Sequence, residues 1–137
     1  MTKSIVIYQS HHGTTKKLGE EINNFLKENN IESVVYSMND VEIKDITDAD
    51  IVFLGCWTNG LFICMQHPEK KWVEFAKTIP SLENKKVVLF TTYKLATGSM
   101  FKNMKKAIKT GSLSISEIKS KNGILSENDK ILLKSIQ

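Results

Sequence analysis

Residues able to do chemistry are concentrated at three points of the 137-residue chain. The first is Ser10-His11-His12-Gly13-Thr14-Thr15, with three hydroxyl side chains, two imidazoles and one glycine directly before a helical stretch. Backbone N–H groups at a helix start lack internal partners and the helix dipole favours an anion, so such a loop suits a phosphate. Ser10, Thr14 and Thr15 would add hydroxyl donors. The loop fits neither GxxxxGK[ST] nor GxGxxG, which argues against nucleoside triphosphates and dinucleotides. Taken alone, it reads equally well as an ordinary helix-capping turn.

The second point is Gly55-Cys-Trp-Thr-Asn-Gly, where Trp57 and Thr58 follow an apolar run and Asn59-Gly60 is a turn dipeptide. An indole beside a flexible peptide suits a flat ligand, although by itself Trp57 is read more simply as packing under the next helix. The third is Thr91-Thr92-Tyr93, followed by Gly98, which reads alone as a surface tyrosine on a loop. Cys56 and Cys64 have no CxxC spacing, and His11, His12 and His67 do not pair with them at metal-ligand intervals. No metal site is expected, and both thiols read as buried and free.

The intervening residues dictate how these points are positioned. Residues 3–9 form a β-branched and aromatic run, and Leu18, Ile22, Phe25 and Leu26 then recur at helical spacing up to Asn29-Asn30. Further strands are expected at 32–37, 50–57 and 86–92, with a long loop after residue 57. Helices are expected over 68–78 and 98–109, with an edge strand over 113–120 and a final short helix opening at Ser126. Residues 38–49 show no firm period.

Five strands alternating with helices predict a three-layer αβα sandwich around a five-stranded parallel sheet, because parallel strands need right-handed crossovers. Residues 1–137 read as one domain. Such sheets bind ligands at the carboxyl ends of their strands, and the three points fall on consecutive ends.

The net charge of +4 and pI near 9.0 arise from lysines on helix-like stretches and in the C-terminal third. They do not interleave with the aromatics, so no base-stacking platform is expected and nucleic acid is not a predicted partner. No segment approaches eighteen consecutive apolar residues, so a soluble, cytoplasmic protein without membrane attachment is expected.

With these elements in place, the chain resembles the flavodoxin family over nearly its whole length. The first loop resembles that family's phosphate loop, written hydroxyl-x-hydroxyl-Gly-x-Thr, with Ser10, Gly13 and Thr15 matching, His11 at the variable position and His12 where a second hydroxyl is usual. Gly55 to Gly60 resembles the loop over one flavin face, and Thr91 to Gly98 the loop over the other. The resemblance implies sheet order 2-1-3-4-5 and FMN as cofactor, held by Ser10, His11, His12, Gly13, Thr14, Thr15, Trp57, Thr58, Asn59, Gly60, Thr91, Thr92, Tyr93 and Gly98. It also implies electron transfer between redox partner proteins, without substrate turnover of its own. Trp57 and Tyr93 would sandwich the ring, and the Asn59-Gly60 peptide is the candidate to turn its carbonyl toward the reduced flavin N5–H.

Leu61 and Phe62 stand where many flavodoxins carry acidic residues. Together with the basic total charge, they predict a less negative low potential and an acidic partner. Two other readings remain open. One is a flavodoxin-like domain without FMN acting as an interaction module. The other is a flavin-dependent NAD(P)H or quinone reductase relative, for which no second-substrate motif is visible. An activator of ribonucleotide reductase is a minor variant within the flavin class. A response-regulator receiver is excluded, because Gln9-Ser10 and Cys56-Trp57 stand where it needs acidic residues.

Overall fold

The computed structural model describes residues 2–61, 64–109 and 115–136. Strand β1 (Lys3–Tyr8) leads into helix α1 (Thr14–Glu28), followed by β2 (Glu32–Ser37), α2 (Ile43–Asp48) and β3 (Ile51–Trp57). A short ribbon, β4 (Asn59–Leu61) and β5 (Cys64–His67), precedes α3 (Lys70–Thr78), β6 (Lys86–Thr92), α4 (Met100–Ala107), β7 (Ile115–Ser120) and α5 (Glu127–Ser135). The main sheet is parallel throughout, in the order β2-β1-β3-β6-β7. Leaving the ribbon strands out of the count, this is the expected 2-1-3-4-5 order.

Side-chain alternation along the strands divides the core into two layers. Val6, Phe53, Val88 and Phe90 meet Leu18, Ile22 and Leu26 of α1 and Leu133 of α5. Ile5, Ile7, Val52, Leu54, Val87 and Leu89 meet Ile46 of α2, Trp72 and Ala76 of α3, and Met100 and Met104 of α4. Each fully buried side chain of this size contributes about 1.5–3 kcal/mol. The spacing of Leu18, Ile22 and Leu26 is the four-residue repeat that keeps one helix face on a sheet. At the end of α1 the chain turns at Asn30, φ 63°. Ser126 starts α5 by accepting from Asp129 N at 3.1 Å, and Asp129 returns a bond to Ser126 N, which completes a capping box.

Two local expectations need correction. The stretch after β3 is an antiparallel ribbon pairing Asn59 with His67 and Leu61 with Cys64, so Asn59-Gly60 lies within a strand, not at the tip of a turn. Strands of three and four residues are too short to show a period. Residues 38–49 contain α2, whose one buried side chain is Ile46 and whose start is a Glu42–Asp45 capping box, a pattern too sparse for periodicity to reveal. Helix α3 begins at Lys70, two residues beyond Pro68, and α4 spans 100–107 within the expected 98–109. Leu113, expected to open the edge strand, lies outside the described residues, and β7 is described from Ile115.

The centre of the sheet depends on a close approach. Gly55 and Phe90 are cross-strand partners, and a Cβ on Gly55 would lie 2.1 Å from the Phe90 ring. The same ring reaches Gly19 of α1, where a Cβ would sit 3.6 Å away in ordinary contact. Gly55→Ala is therefore expected to cost about 1–3 kcal/mol by overpacking. Gly19→Ala should instead add up to about 1 kcal/mol through helix propensity. Urea unfolding midpoints of the two variants, moving in opposite directions from the parent, check this.

Cys56 in β3 is wholly buried, and burial together with the negative charge of Glu69 pushes its thiol well above the ordinary value of 9.0. Above pH 9 the unfolded chain therefore loses this proton while the folded chain keeps it, and stability falls as pH rises. Up to about 1.4 kcal/mol per pH unit of that slope is expected to disappear in Cys56→Ala. Urea melts of parent and variant between pH 8 and 10.5 measure the difference.

Candidate functional site

Where the strands end, backbone bonding continues for one more rung on each side. Gln9 N donates to Gly55 O at 2.9 Å, Thr58 N to Thr92 O at 2.9 Å and Tyr93 N to Ser120 O at 3.2 Å. The segments after β1, β3, β6 and β7 are thereby fixed side by side at one edge.

Helix α1 starts at Gly13, whose φ of 91° is a conformation glycine takes at little cost. Ser10 Oγ accepts from Gly13 N at 2.9 Å and so shapes the turn. Among the described residues no side chain caps the helix, and its first turn carries no acidic residue. The orphan N–H donors of a 15-residue helix thus stand ready for an anion.

Thr15 is buried, and its Oγ1 lies 2.6 Å from Thr92 Oγ1, joining the first loop to the end of β6. Thr91 is also buried. Its hydroxyl donates to Cys56 O at 2.6 Å, so in the 2.9 Å contact between Thr58 Oγ1 and Thr91 Oγ1 it is Thr58 that donates.

These loops enclose a cleft of about 500 Å³. Of the residues expected from sequence, His11, His12, Thr14, Thr15, Trp57, Thr58, Thr92 and Tyr93 line it. Ser10 and Gly13 shape the first loop without lining the cleft, and Thr91 is wholly buried below it. Gly98 lines a separate depression with Phe101, Lys102 and Lys119. Asn59 and Gly60 contribute backbone to β4.

The lining also includes Gln66, Lys94, Leu95, Ala96 and Lys121, which sequence reasoning did not select. Gln66 comes from β5, and its carbonyl accepts from Ser99 Oγ at 3.0 Å and Asn103 Nδ2 at 2.8 Å, tying the ribbon to α4. Lys121 follows β7 and reaches the cleft because β7 pairs with β6. A lysine directly after the last expected strand was the available signal.

The aromatic side chains already hold flat or charged partners. The His11 ring stacks on Trp57 at 5.0 Å with a 27° interplanar angle, and His12 meets His11 edge-on at 4.1 Å. Lys119 Nζ and Lys121 Nζ lie 5.9 Å and 5.7 Å from the Tyr93 ring centroid. Lys94 is exposed nearby, as is Leu95 at 59%. The Tyr93 side of the mouth is therefore cationic. On the Trp57 side, Glu69 Oε2 accepts from Trp57 Nε1 at 3.2 Å and from Gln9 Nε2 at 2.8 Å.

Comparisons with known proteins agree with this architecture. The sequence profile described as Flavodoxin domain matches residues 5–127. No curated protein matches the chain in sequence. Among solved structures, a two-electron reduced flavodoxin from Megasphaera elsdenii has 21% identity and a TM-score of 0.70, covering 98% of this chain and 97% of that one. A flavodoxin from Streptococcus pneumonia TIGR4 has 16% identity and a TM-score of 0.66, covering 98% and 94%. Rubredoxin oxygen:oxidoreductase from the anaerobe Desulfovibrio gigas has 14% identity and a TM-score of 0.64. This chain is covered over 99% but spans 34% of that longer protein. With the profile matching most of its length, the chain belongs to the flavodoxin family.

Proposed function

We propose that the chain, acting as one domain over residues 1–137, binds FMN in the cleft and carries electrons between redox partner proteins. The observation that carries this reading is the uncapped, acid-free start of α1 opening into the same cleft as Trp57 and Tyr93. The residues fit the cofactor: orphan amides and the Thr14 hydroxyl suit its phosphate, and the His11–Trp57 stack indicates that the indole accepts a flat ring. Ser10 and Gly13 would hold the phosphate loop in shape. Thr15, through Thr92, would fix that loop relative to the ring-binding segments. Bound FMN would supply the uptake and release of electrons, one or two at a time.

The cationic Tyr93 side has two consequences. Lys94 and Lys121 line the cleft and Lys119 stands beside the Tyr93 ring, and this positive charge suits an acidic partner and speeds encounter at low salt. The same lysines favour added electrons on the ring, which supports a less negative low potential. A second reading, an interaction module without FMN, draws on the same His11–Trp57 stack, since His11 covers a face that a flavin would use.

Titrating the purified protein with FMN separates the two. Quenching of flavin fluorescence with a band near about 450 nm is expected for the cofactor. No binding would overturn the FMN reading. Trp57→Ala is expected to weaken affinity by about tenfold, the scale of one aromatic stack. Lys121→Glu should lower the potential for full reduction in potentiometry, and an unchanged or higher value would refute the electrostatic role assigned to that lysine.

A further inference from the structure

Glu69 stands at the N-cap of α3, yet its side chain makes no cap hydrogen bond. Glutamate is not among the side chains favoured at that position, so the helix start does not explain this residue. Its Oε2 instead reaches the carboxyl edge of the sheet, where it takes Trp57 Nε1 at 3.2 Å and Gln9 Nε2 at 2.8 Å. One oxygen thus joins residues 12 and 60 positions away in sequence, from the ends of β3 and β1.

Gln9 is well suited to brace this link. Its backbone is fixed to Gly55 O, the residue is buried, and its Oε1 has no partner among the described residues. The Nε2–carboxylate bond is what offsets the desolvation of this amide. Trp57 is half-buried, with its indole between the Glu69 bond on its edge and the His11 ring on its face. His11 is exposed on a loop, so the charge-assisted bond to Glu69 is the firmer of the two restraints.

We propose that Glu69 is the positioning residue of the Trp57 wall: it fixes the plane of the indole and sets a carboxylate against the indole N–H. The consequence for a bound flavin rests on the FMN reading above, but the role in orienting Trp57 does not. With flavin present, an ordered indole binds the ring without first losing its own freedom, and the carboxylate opposes added electrons from the side facing the lysines. Two influences of opposite sign thus flank the cleft.

The test uses the whole chain without added flavin. Its two indole N–H signals in proton–nitrogen NMR separate naturally, since Trp57 Nε1 is bonded to a carboxylate while Trp72 Nε1 is buried without a partner among the described residues. Trp57→Phe assigns them. In Glu69→Ala the Trp57 signal is expected to move upfield and its solvent exchange to rise by about tenfold or more, the scale of one lost charged hydrogen bond. The Trp72 signal stays in place and reports an intact core. In Glu69→Gln the bond survives to a neutral acceptor, so the Trp57 signal moves only part of the way. A Trp57 signal unmoved in both variants would overturn the proposal.

With FMN, Glu69→Ala should bind about tenfold more weakly. Glu69→Gln should bind within about threefold of the parent yet show a higher potential for full reduction. Equal affinity and potential in all three proteins would overturn the extension to the cofactor. If the parent fails to bind FMN while the indole signals respond as expected, the FMN reading falls and the positioning role stands.

Discussion

A parallel sheet buried on both faces has no place for polar chemistry except at the ends of its strands. Residues 51–56 of β3 are all buried, with β1 and β6 hydrogen-bonded on either side and helices above and below. Desolvating a polar side chain there would cost more than any single contact returns. Ser4, near the start of β1, is the exception within these three strands; towards their carboxyl ends the polar side chains gather at Gln9, Thr58 and the Thr91–Thr92 pair. The cleft is the product of that exclusion. Its walls are held in register by the same backbone rungs that hold the core.

This constraint also explains what was readable from sequence. Val87–Phe90 is a continuous apolar run between Lys86 and the Thr91–Thr92 pair, so the limits of the strand could be stated to the residue. The four-residue spacing in α1 and the loop that precedes it were equally plain. Once five strands were in order, topology alone brought residues 10–15, 57–58 and 92–93 to one edge.

The parts that escaped share a physical reason: each depends on contacts between distant segments. Helix α2 buries a single isoleucine, so its amphipathic pattern is one point and no period. The ribbon of β4 and β5 is held by pairing and by α4, and neither shows in strands so short. Lys121 becomes part of the site only because β7 lies beside β6. Glu69 looks like a residue of an exposed helix start until the fold brings Gln9 and Trp57 to it. Sequence spacing displays helices and strands because their partners are near in the chain, whereas the polar network of a site is assembled across it.

The loop after β7 has a further effect. Ser120 Oγ gathers Gly123 N at 2.9 Å and Ile124 N at 3.1 Å, and a Cβ on Gly123 would lie 2.9 Å from Thr14 O. The turn near residue 123 therefore rests directly on the loop near residue 14. In the order of synthesis the loop at residues 10–15 precedes the turn at Gly123 that rests against it. The nascent chain can lay down β1, α1 and β3 while that loop still lacks this support. The shape of the loop therefore becomes fixed only when the turn after β7 docks, long after the loop itself has been made.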